Sequence, residues 1–261
     1  MLTNQQKRQF VEEGYLVVPG ALPLAMVEAA RRVVNHSIGN VGIGGEDLAN
    51  HRGGFHCAEL LDAPIITDLY NKTPVFPLAE SLLGAGNLNP VKRAKVYPRF
   101  PLPLDAEPRS LGGHIDGIGN GTNGQPKGSY SRNFTAFAVI YLADVPNPHS
   151  GNFTVWPKSH LAYQAHFKRH GHQVLAEGMP RIELPAAPVM VTAKAGDLVL
   201  AHHALMHGAC PNQSPDVRLA VIARLAHKDA RELGPDAYLD IWKEWPGLED
   251  VLAEQNPALA Q

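Results

Sequence analysis

The spacing of apolar residues divides the chain into a helical N-terminal part and a longer part with strand periodicity. Val27, Ala30 and Val34 recur at helical spacing after Pro23, which suits the first turn of a helix. Shorter apolar segments predict helices at 65–70 and 75–83. From residue 91 onward, apolar and polar residues alternate with a period of two, which predicts strands at 91–100, 133–142, 152–156, 189–192, 197–201 and 218–225.

The ends of the chain add a few further elements. Thr3 and Gln6 form a capping box for a first helix that ends at Gly14, and a strand is predicted at 15–18. Segment 159–170 is the convincing helix among the strands, and segment 236–254 is predicted to be helical, with Trp242 and Trp245 as apolar anchors. We predict one domain, in which helices (1–90) pack on a β core (91–227) that a helical segment (228–261) follows. Such a pattern favours a β-sandwich or jelly roll with flanking helices.

Composition narrows the functional classes. The 261 residues carry 23 Lys and Arg against 25 Asp and Glu, so charge gives no reason to expect a nucleic acid or an anionic membrane surface. No apolar run reaches the length of a membrane span. Two cysteines cannot build a disulfide scaffold, and the polar first residues do not resemble a secretory signal, so a cytoplasmic location is expected. The 24 glycines and 22 prolines predict many turns, with long loops at 37–57 and 117–128.

Thirteen histidines raise the question of a metal site. His114 and Asp116 are two residues apart, and on an extended chain such residues project to the same face. His207 follows the predicted strand at 197–201 and would complete a set of two histidines and one carboxylate. This set leaves three coordination positions open and suits non-haem Fe(II) with oxygen chemistry. We therefore predict that His114, Asp116 and His207 are the metal ligands and the centre of catalysis.

Arg218 lies eleven residues after His207, in the next predicted strand. A guanidinium can hold a carboxylate through two parallel hydrogen bonds. His-x-Asp, a long gap and then His-x10-Arg is a much more specific pattern than any of its parts.

With these residues the chain resembles the Fe(II)/2-oxoglutarate-dependent oxygenases, which have a double-stranded β-helix (jelly roll, cupin-like) core. Segment 150–160 (SGNFTVWPKSH) is similar to the Asn-Gly and Pro-Gly-Ser-His signature of the phytanoyl-CoA dioxygenase family, and Asn212 also matches. The resemblance extends over nearly the whole chain. It implies Fe(II) as cofactor, 2-oxoglutarate and O2 as co-substrates, and Arg218 as the partner of the far carboxylate of 2-oxoglutarate.

Two departures from the family pattern bear on the chemistry. The related enzymes often carry Arg-x-Ser, whereas Ala220 stands here two residues after Arg218, so another donor must assist the co-substrate carboxylate. Asp116, by contrast, is retained. Halogenating relatives have a small residue at that position, so the resemblance favours hydroxylation over halogenation.

Further pocket residues are predicted from strand parity. Lys95, Tyr97 and Arg99 share one face of the strand before the His-x-Asp pair, with Lys95 as a second 2-oxoglutarate contact and Arg99 nearer the substrate. Thr135 and Phe137 share a face of the next strand and would close the co-substrate pocket. Candidates for substrate binding near the mouth are Arg99, Tyr97, Lys127 and Arg132.

The leading hypothesis is a dioxygenase that hydroxylates an unactivated C–H bond of a small molecule and releases succinate and CO2. The same iron site would also serve desaturation, cyclisation or epimerisation. A cupin-like metal-binding sensor without turnover is the alternative of another class, but such a protein needs no arginine eleven residues after the distal histidine. Substrate identity, including whether it is a CoA thioester, and oligomeric state are left open.

Overall fold

Two antiparallel sheets packed face to face form the core of the protein. The computed structural model describes residues 1–41, 54–103, 105–107, 110–119 and 125–255. The larger sheet has the order β1-β6-β3-β8-β2 and the smaller one the order β5-β4-β7. The strands are β1 (Tyr15–Val18), β2 (Lys95–Arg99), β3 (Ala136–Tyr141), β4 (Phe153–Val155), β5 (Val189–Met190), β6 (Leu198–His202), β7 (His207–Ala209) and β8 (Arg218–Leu225).

The alternation of residues along β8 explains how the larger sheet is buried on both faces. Leu219, Val221, Ala223 and Leu225 pack against the helices, in one hydrophobic cluster. Ala220 belongs to a second cluster, between the sheets, together with residues of β3, β4 and β6. A strand that is buried on both sides has an apolar residue at most positions, and the two polar exceptions on the inner side of β8 are Arg218 and Arg224.

The helices are α1 (Asn4–Glu13), α2 (Leu24–Val41), α3 (Pro64–Asn71), α4 (Val75–Leu83), α5 (Ser159–His170), α6 (Ala230–Leu233) and α7 (Glu249–Gln255). Helices α1 to α4 and α7 contribute to the hydrophobic cluster on the outer face of the larger sheet, whereas α5 packs in a separate cluster with Ile115 and Ile118. The capping box is present: the Thr3 hydroxyl accepts from the backbone N–H of Gln6, and Gly14 ends α1 with a φ of 80°. Among the described residues, no helix combines the length and hydropathy needed to cross a bilayer.

The predicted jelly-roll architecture with flanking helices is confirmed, and the differences from prediction have local causes. Helix α2 continues to Val41, so residues 37–41 belong to a helix and not to the predicted loop, whose remainder lies largely outside the described residues. Segment 236–254 is not one helix, because Pro246 lacks the N–H that a helix interior needs. It forms short 3-10 turns at Gly234–Tyr238 and Pro246–Leu248 before α7. His207 does not merely follow a strand, since it opens β7.

A buried ion pair joins the strand region to the C-terminal segment. Arg132 is 2% exposed and Glu244 is 1% exposed, and Nη1 of Arg132 donates to Oε1 of Glu244 at 2.8 Å. The Thr135 hydroxyl donates to Oε2 of Glu244 at 3.2 Å and accepts from the backbone N–H of His227. The structure therefore corrects two predictions: Arg132 does not lie at the mouth of a pocket, and the Thr135 hydroxyl serves this internal network instead of a co-substrate.

We expect Glu244→Ala to destabilise the protein strongly. The substitution leaves the buried Arg132 charge without its partner, which typically costs about 3–5 kcal/mol. The matched control is Glu254→Ala, since Glu254 pairs with Arg8 at the surface, where both side chains are about half exposed, and such pairs contribute at most about 1 kcal/mol. Urea unfolding measures both. Equal losses of unfolding free energy in the two variants would contradict this account of the buried pair.

Candidate metal and co-substrate site

Three side chains with metal-binding chemistry converge at one end of the space between the sheets. One ligating atom from each of His114, Asp116 and His207 lies within 4.8 Å of the others. Nε2 of His114 is 3.1 Å from Oδ1 of Asp116, and Nε2 of His207 is 3.8 Å from the same oxygen. His207 is buried, whereas the His114 side chain is 57% exposed, so the cluster is open to solvent on one side.

Backbone pairing brings the two histidines together. The N–H of His114 donates to the carbonyl of His207 at 2.9 Å, and the N–H of His207 donates back at 3.0 Å. Gly208 is needed for this approach, because a Cβ at that position would lie 2.5 Å from the carbonyl oxygen of Gly112. Gly208 therefore lets the His-x-Asp segment lie directly against β7.

Hydrogen bonds and burial prepare His207 and Asp116 to bind a cation. Nδ1 of His207 donates to the carbonyl of Leu205 at 2.9 Å, so Nε2 is left with a free lone pair facing Asp116. Burial, with the nearby charge of His114, lowers the pKa of His207 to about 4. Burial also opposes ionisation of Asp116, but the hydrogen bond from His114 and the charges of His207 and Arg224 outweigh it and hold the pKa of Asp116 well below its usual value. Two imidazoles and a carboxylate are a donor set that fits Fe(II).

Arg218 is a buried cation at the other end of the same sheet face. It is 3% exposed, and burial lowers its pKa, while nearby Tyr141, Cys210 and Tyr97 act in the opposite direction. Its Nε donates to the carbonyl of Gly151 at 2.7 Å and its Nη1 to the carbonyl of Tyr97 at 3.2 Å. Arg218 forms no ion pair with a carboxylate of the described residues.

Comparison with known proteins finds a family that part of the chain resembles and solved structures with a similar fold. Residues 125–220 match the family model of phytanoyl-CoA dioxygenase (PhyH). The matched segment contains His207 and Arg218. This match supports the predicted resemblance to that family within the segment. No curated protein matches the sequence.

Solved structures with the same fold are similar to this chain over most of its length. The non-heme alpha ketoglutarate dependent epimerase SnoN from nogalamycin biosynthesis has 18% identity and a TM-score of 0.59 over 85% of this chain and 80% of its own. HygX from Streptomyces hygroscopicus, solved with nickel and 2-oxoglutarate, has 20% identity and a TM-score of 0.58 over 87% and 88%. The carbocyclase SnoK from nogalamycin biosynthesis has 23% identity and a TM-score of 0.56 over 87% and 84%.

Segment 150–160, which resembles the family signature, contacts both Arg218 and the residues next to His207. Gly151 has a φ of 71° and offers its carbonyl to Arg218. The hydroxyl of Ser159 accepts from the backbone N–H of Met206 at 2.9 Å, directly before His207. Lys158, which replaces the glycine of the family signature, has a φ of 65° and is the N-cap residue of α5. Asn212 holds the turn before β8, since its Nδ2 donates to the carbonyls of Arg99 and Asp216.

The structure reverses the expected order of the basic residues on β2. Lys95, Tyr97 and Arg99 do share one face, opposite Ile222, Ala220 and Arg218 of β8 respectively. Arg99 is thus the residue beside Arg218, while exposed Lys95 lies toward Asp116 and Arg224, whose charges act on its pKa. Lys95 is therefore nearer the predicted metal ligands, and Arg99 nearer the expected position of the co-substrate carboxylate, than the sequence pattern suggested. The pKa of Arg99 is lowered to about 9 by burial and by the charge of Arg218.

The remaining predicted residues divide between the site and the surface. The Phe137 ring packs on His207 with ring centroids 4.5 Å apart, so Phe137 lines the metal end of the cavity. Lys127 is exposed, in the part of the predicted lid at 117–128 that the structure describes; residues 120–124 lie outside it. Tyr97 and Tyr141 are the two residues paired with Ala220, which places phenol rings beside the position where related enzymes carry a serine.

Arg224 is the site residue that sequence reasoning missed. Its Nη2 and Nε lie 2.5 and 3.0 Å from Oδ2 of Asp116. The signal was available, because Arg224 is six residues after Arg218 on the same strand, and an even spacing places two side chains on one face.

Proposed function

We propose that this protein hydroxylates an unactivated C–H bond of a small molecule, with Fe(II) held by His114, Asp116 and His207 and 2-oxoglutarate held by Arg218. The proposal depends above all on Arg218, a buried guanidinium with no carboxylate partner among the described residues. Burying an unpaired charge is costly, so such a residue implies an anionic ligand. The inner face of β8 connects it to the three metal-binding side chains, and 2-oxoglutarate carries carboxylates at both ends.

Each group of the site has a distinct task in this proposal. The bound iron, together with O2 and 2-oxoglutarate, supplies the oxidising chemistry, with succinate and CO2 as co-products. His207 offers Nε2 because Leu205 fixes its tautomer, and Phe137 and Phe153 pack on its ring and keep water away from that side. Arg218 would orient the co-substrate through its far carboxylate, with Arg99, Tyr97 and Tyr141 around it.

The position of the substrate relative to the iron determines which reaction takes place. Asp116 is retained as a ligand, which favours hydroxylation over halogenation. Epimerisation, cyclisation and desaturation remain alternatives at the same site, since SnoN is an epimerase and SnoK a carbocyclase of the same fold.

We propose a cytoplasmic location, because both cysteines are free, and a small-molecule substrate in place of a nucleic acid.

Formation of succinate from 2-oxoglutarate tests the proposal. We expect purified protein with Fe(II), O2 and 2-oxoglutarate to release succinate slowly without substrate, as uncoupled turnover, and much faster when a metabolite library supplies a substrate. Omission of Fe(II) or addition of a chelator should abolish both rates. If Fe(II)-loaded protein binds 2-oxoglutarate but releases no succinate with any library fraction, the result would support the metal-binding sensor. The mass of the product distinguishes hydroxylation from desaturation, cyclisation and epimerisation.

A further inference from the structure

The two carboxylate oxygens of Asp116 have different surroundings. Oδ1 faces the histidines, 3.1 Å from Nε2 of His114 and 3.8 Å from Nε2 of His207. Oδ2 faces the other way and accepts two hydrogen bonds from Arg224. The carboxylate thus presents one oxygen to the proposed metal position, and Arg224 occupies the other.

Arg224 is itself fixed by the residues that support His207. It pairs with Phe137 across β3 and β8, and the Phe137 ring packs on His207. The Arg224 guanidinium carbon lies 4.9 Å from the centroid of the Phe134 ring, a cation–π distance. The Phe134 and Phe137 rings contact each other, 4.8 Å apart. The planar guanidinium of Arg224 is therefore held in place by Phe134, and Phe134 in turn contacts Phe137, which lies next to His207.

Turning Oδ2 toward a metal would require both contacts with Arg224 to break. Hydrogen bonds between a guanidinium and a carboxylate are roughly twice as strong as neutral ones; here the Asp116 side chain is 19% exposed and the Arg224 side chain 44% exposed. A metal bound by two histidines and one carboxylate oxygen keeps three positions open. A second Asp116 oxygen would take one of the positions that 2-oxoglutarate and O2 need.

We propose that Arg224 is a positioning residue that restricts Asp116 to one-oxygen coordination and so keeps a metal position open for the co-substrate. This inference rests on the proposed function, because it assumes that His114, Asp116 and His207 bind the metal. It adds a residue outside the ligand set whose role is to control the number of open positions.

Co(II) binding tests this role without turnover. The variants are Arg224→Met, which removes the fork but keeps an apolar stem over Phe134, and Arg224→Lys, which keeps the charge. Arg93→Met is the matched control, because Arg93 is an exposed residue whose charge also acts on Lys95. The visible absorption of bound Co(II), which changes when a carboxylate oxygen replaces a water in the ligand set, is recorded first. 2-Oxoglutarate is then titrated into the Co(II)-loaded protein, and circular dichroism monitors folding.

We expect Arg224→Met to change the Co(II) absorption and to lower the affinity for 2-oxoglutarate by about 10-fold, the lower end of what loss of a partner of a metal ligand costs in metal affinity or activity. Arg224→Lys should show a smaller loss in the same direction, and it decides the question if the methionine variant does not fold. Arg93→Met should match wild type.

Three outcomes would overturn the proposals in distinguishable ways. An unchanged Co(II) spectrum with unchanged 2-oxoglutarate affinity in the folded variants would refute the role of Arg224 alone. A loss of 2-oxoglutarate affinity without a spectral change would also refute it, since Arg224 would then contact the co-substrate directly. Wild-type protein that does not bind Co(II) would refute the metal site of the proposed function itself.

Discussion

Replacement of His207 by alanine is expected to abolish metal-dependent turnover of 2-oxoglutarate. His207 is buried, and its Nε2 points to Asp116 because Nδ1 donates to Leu205. Its removal leaves His114 and Asp116, both on one short segment, as the remaining ligands. Loss of an outer partner of a metal ligand already costs about 10–100-fold in affinity or activity, so loss of the ligand itself should exceed about 100-fold in both Fe(II) affinity and succinate formation.

The matched control for this substitution is His36→Ala. His36 is an exposed residue of α2, so its loss should leave metal binding and turnover at the wild-type level. Isothermal titration with Ni(II) measures affinity separately from activity, and added imidazole should partly restore turnover, because the cavity left by the side chain is lined by Phe137 and Phe153. Wild-type affinity for Ni(II) in the alanine variant would exclude His207 as a ligand.

Replacement of Arg218 by methionine is expected to raise the KM for 2-oxoglutarate by about 100-fold or more while Ni(II) affinity changes little. Breaking a buried charge pair typically costs about 3–5 kcal/mol, and every 1.4 kcal/mol is about tenfold in affinity. Arg218→Lys keeps the positive charge but loses the two parallel donors of the guanidinium. Its KM should therefore lie between those of wild type and Arg218→Met. Arg31→Met, at an exposed surface ion pair, is the control for loss of a guanidinium elsewhere.

Thermal unfolding separates this role of Arg218 from a purely structural one. A saturating ligand stabilises the folded protein by about 2.7 kcal/mol at a hundred times its Kd. With Ni(II) present, 2-oxoglutarate should therefore raise the melting temperature of wild type and fail to raise that of Arg218→Met. An equal increase in both proteins would mean that the co-substrate carboxylate binds elsewhere.

Local patterns were sufficient to predict most elements and to select three residues that lie together in the structure. The period of two located strands such as β8, whose bounds agree with the prediction at both ends. The His-x-Asp spacing and the later His207 predicted three residues that the fold brings within ligand distance of each other. These features depend on spacing along a strand, which the sequence displays directly.

Contacts between distant parts of the chain could not be predicted in this way. Parity placed Thr135 on the pocket side, but its hydroxyl bonds to Glu244, 109 residues away, and nothing in either local sequence indicates that pairing. Arg132 likewise looked like a surface residue near the mouth. The order of Lys95 and Arg99 relative to the metal depended on the register between β2 and β8, and periodicity within one strand does not determine that register.

The buried pair of Arg132 and Glu244 also has a consequence for biosynthesis. The metal-binding residues and Arg218 all precede Glu244 in the chain, yet the counter-charge that Arg132 needs is 112 residues further along. During translation, a nascent chain that stops before residue 244 contains the whole proposed site but cannot bury Arg132 without leaving its charge unpaired. The core around Arg132 is therefore electrostatically complete only when the C-terminal segment is in place.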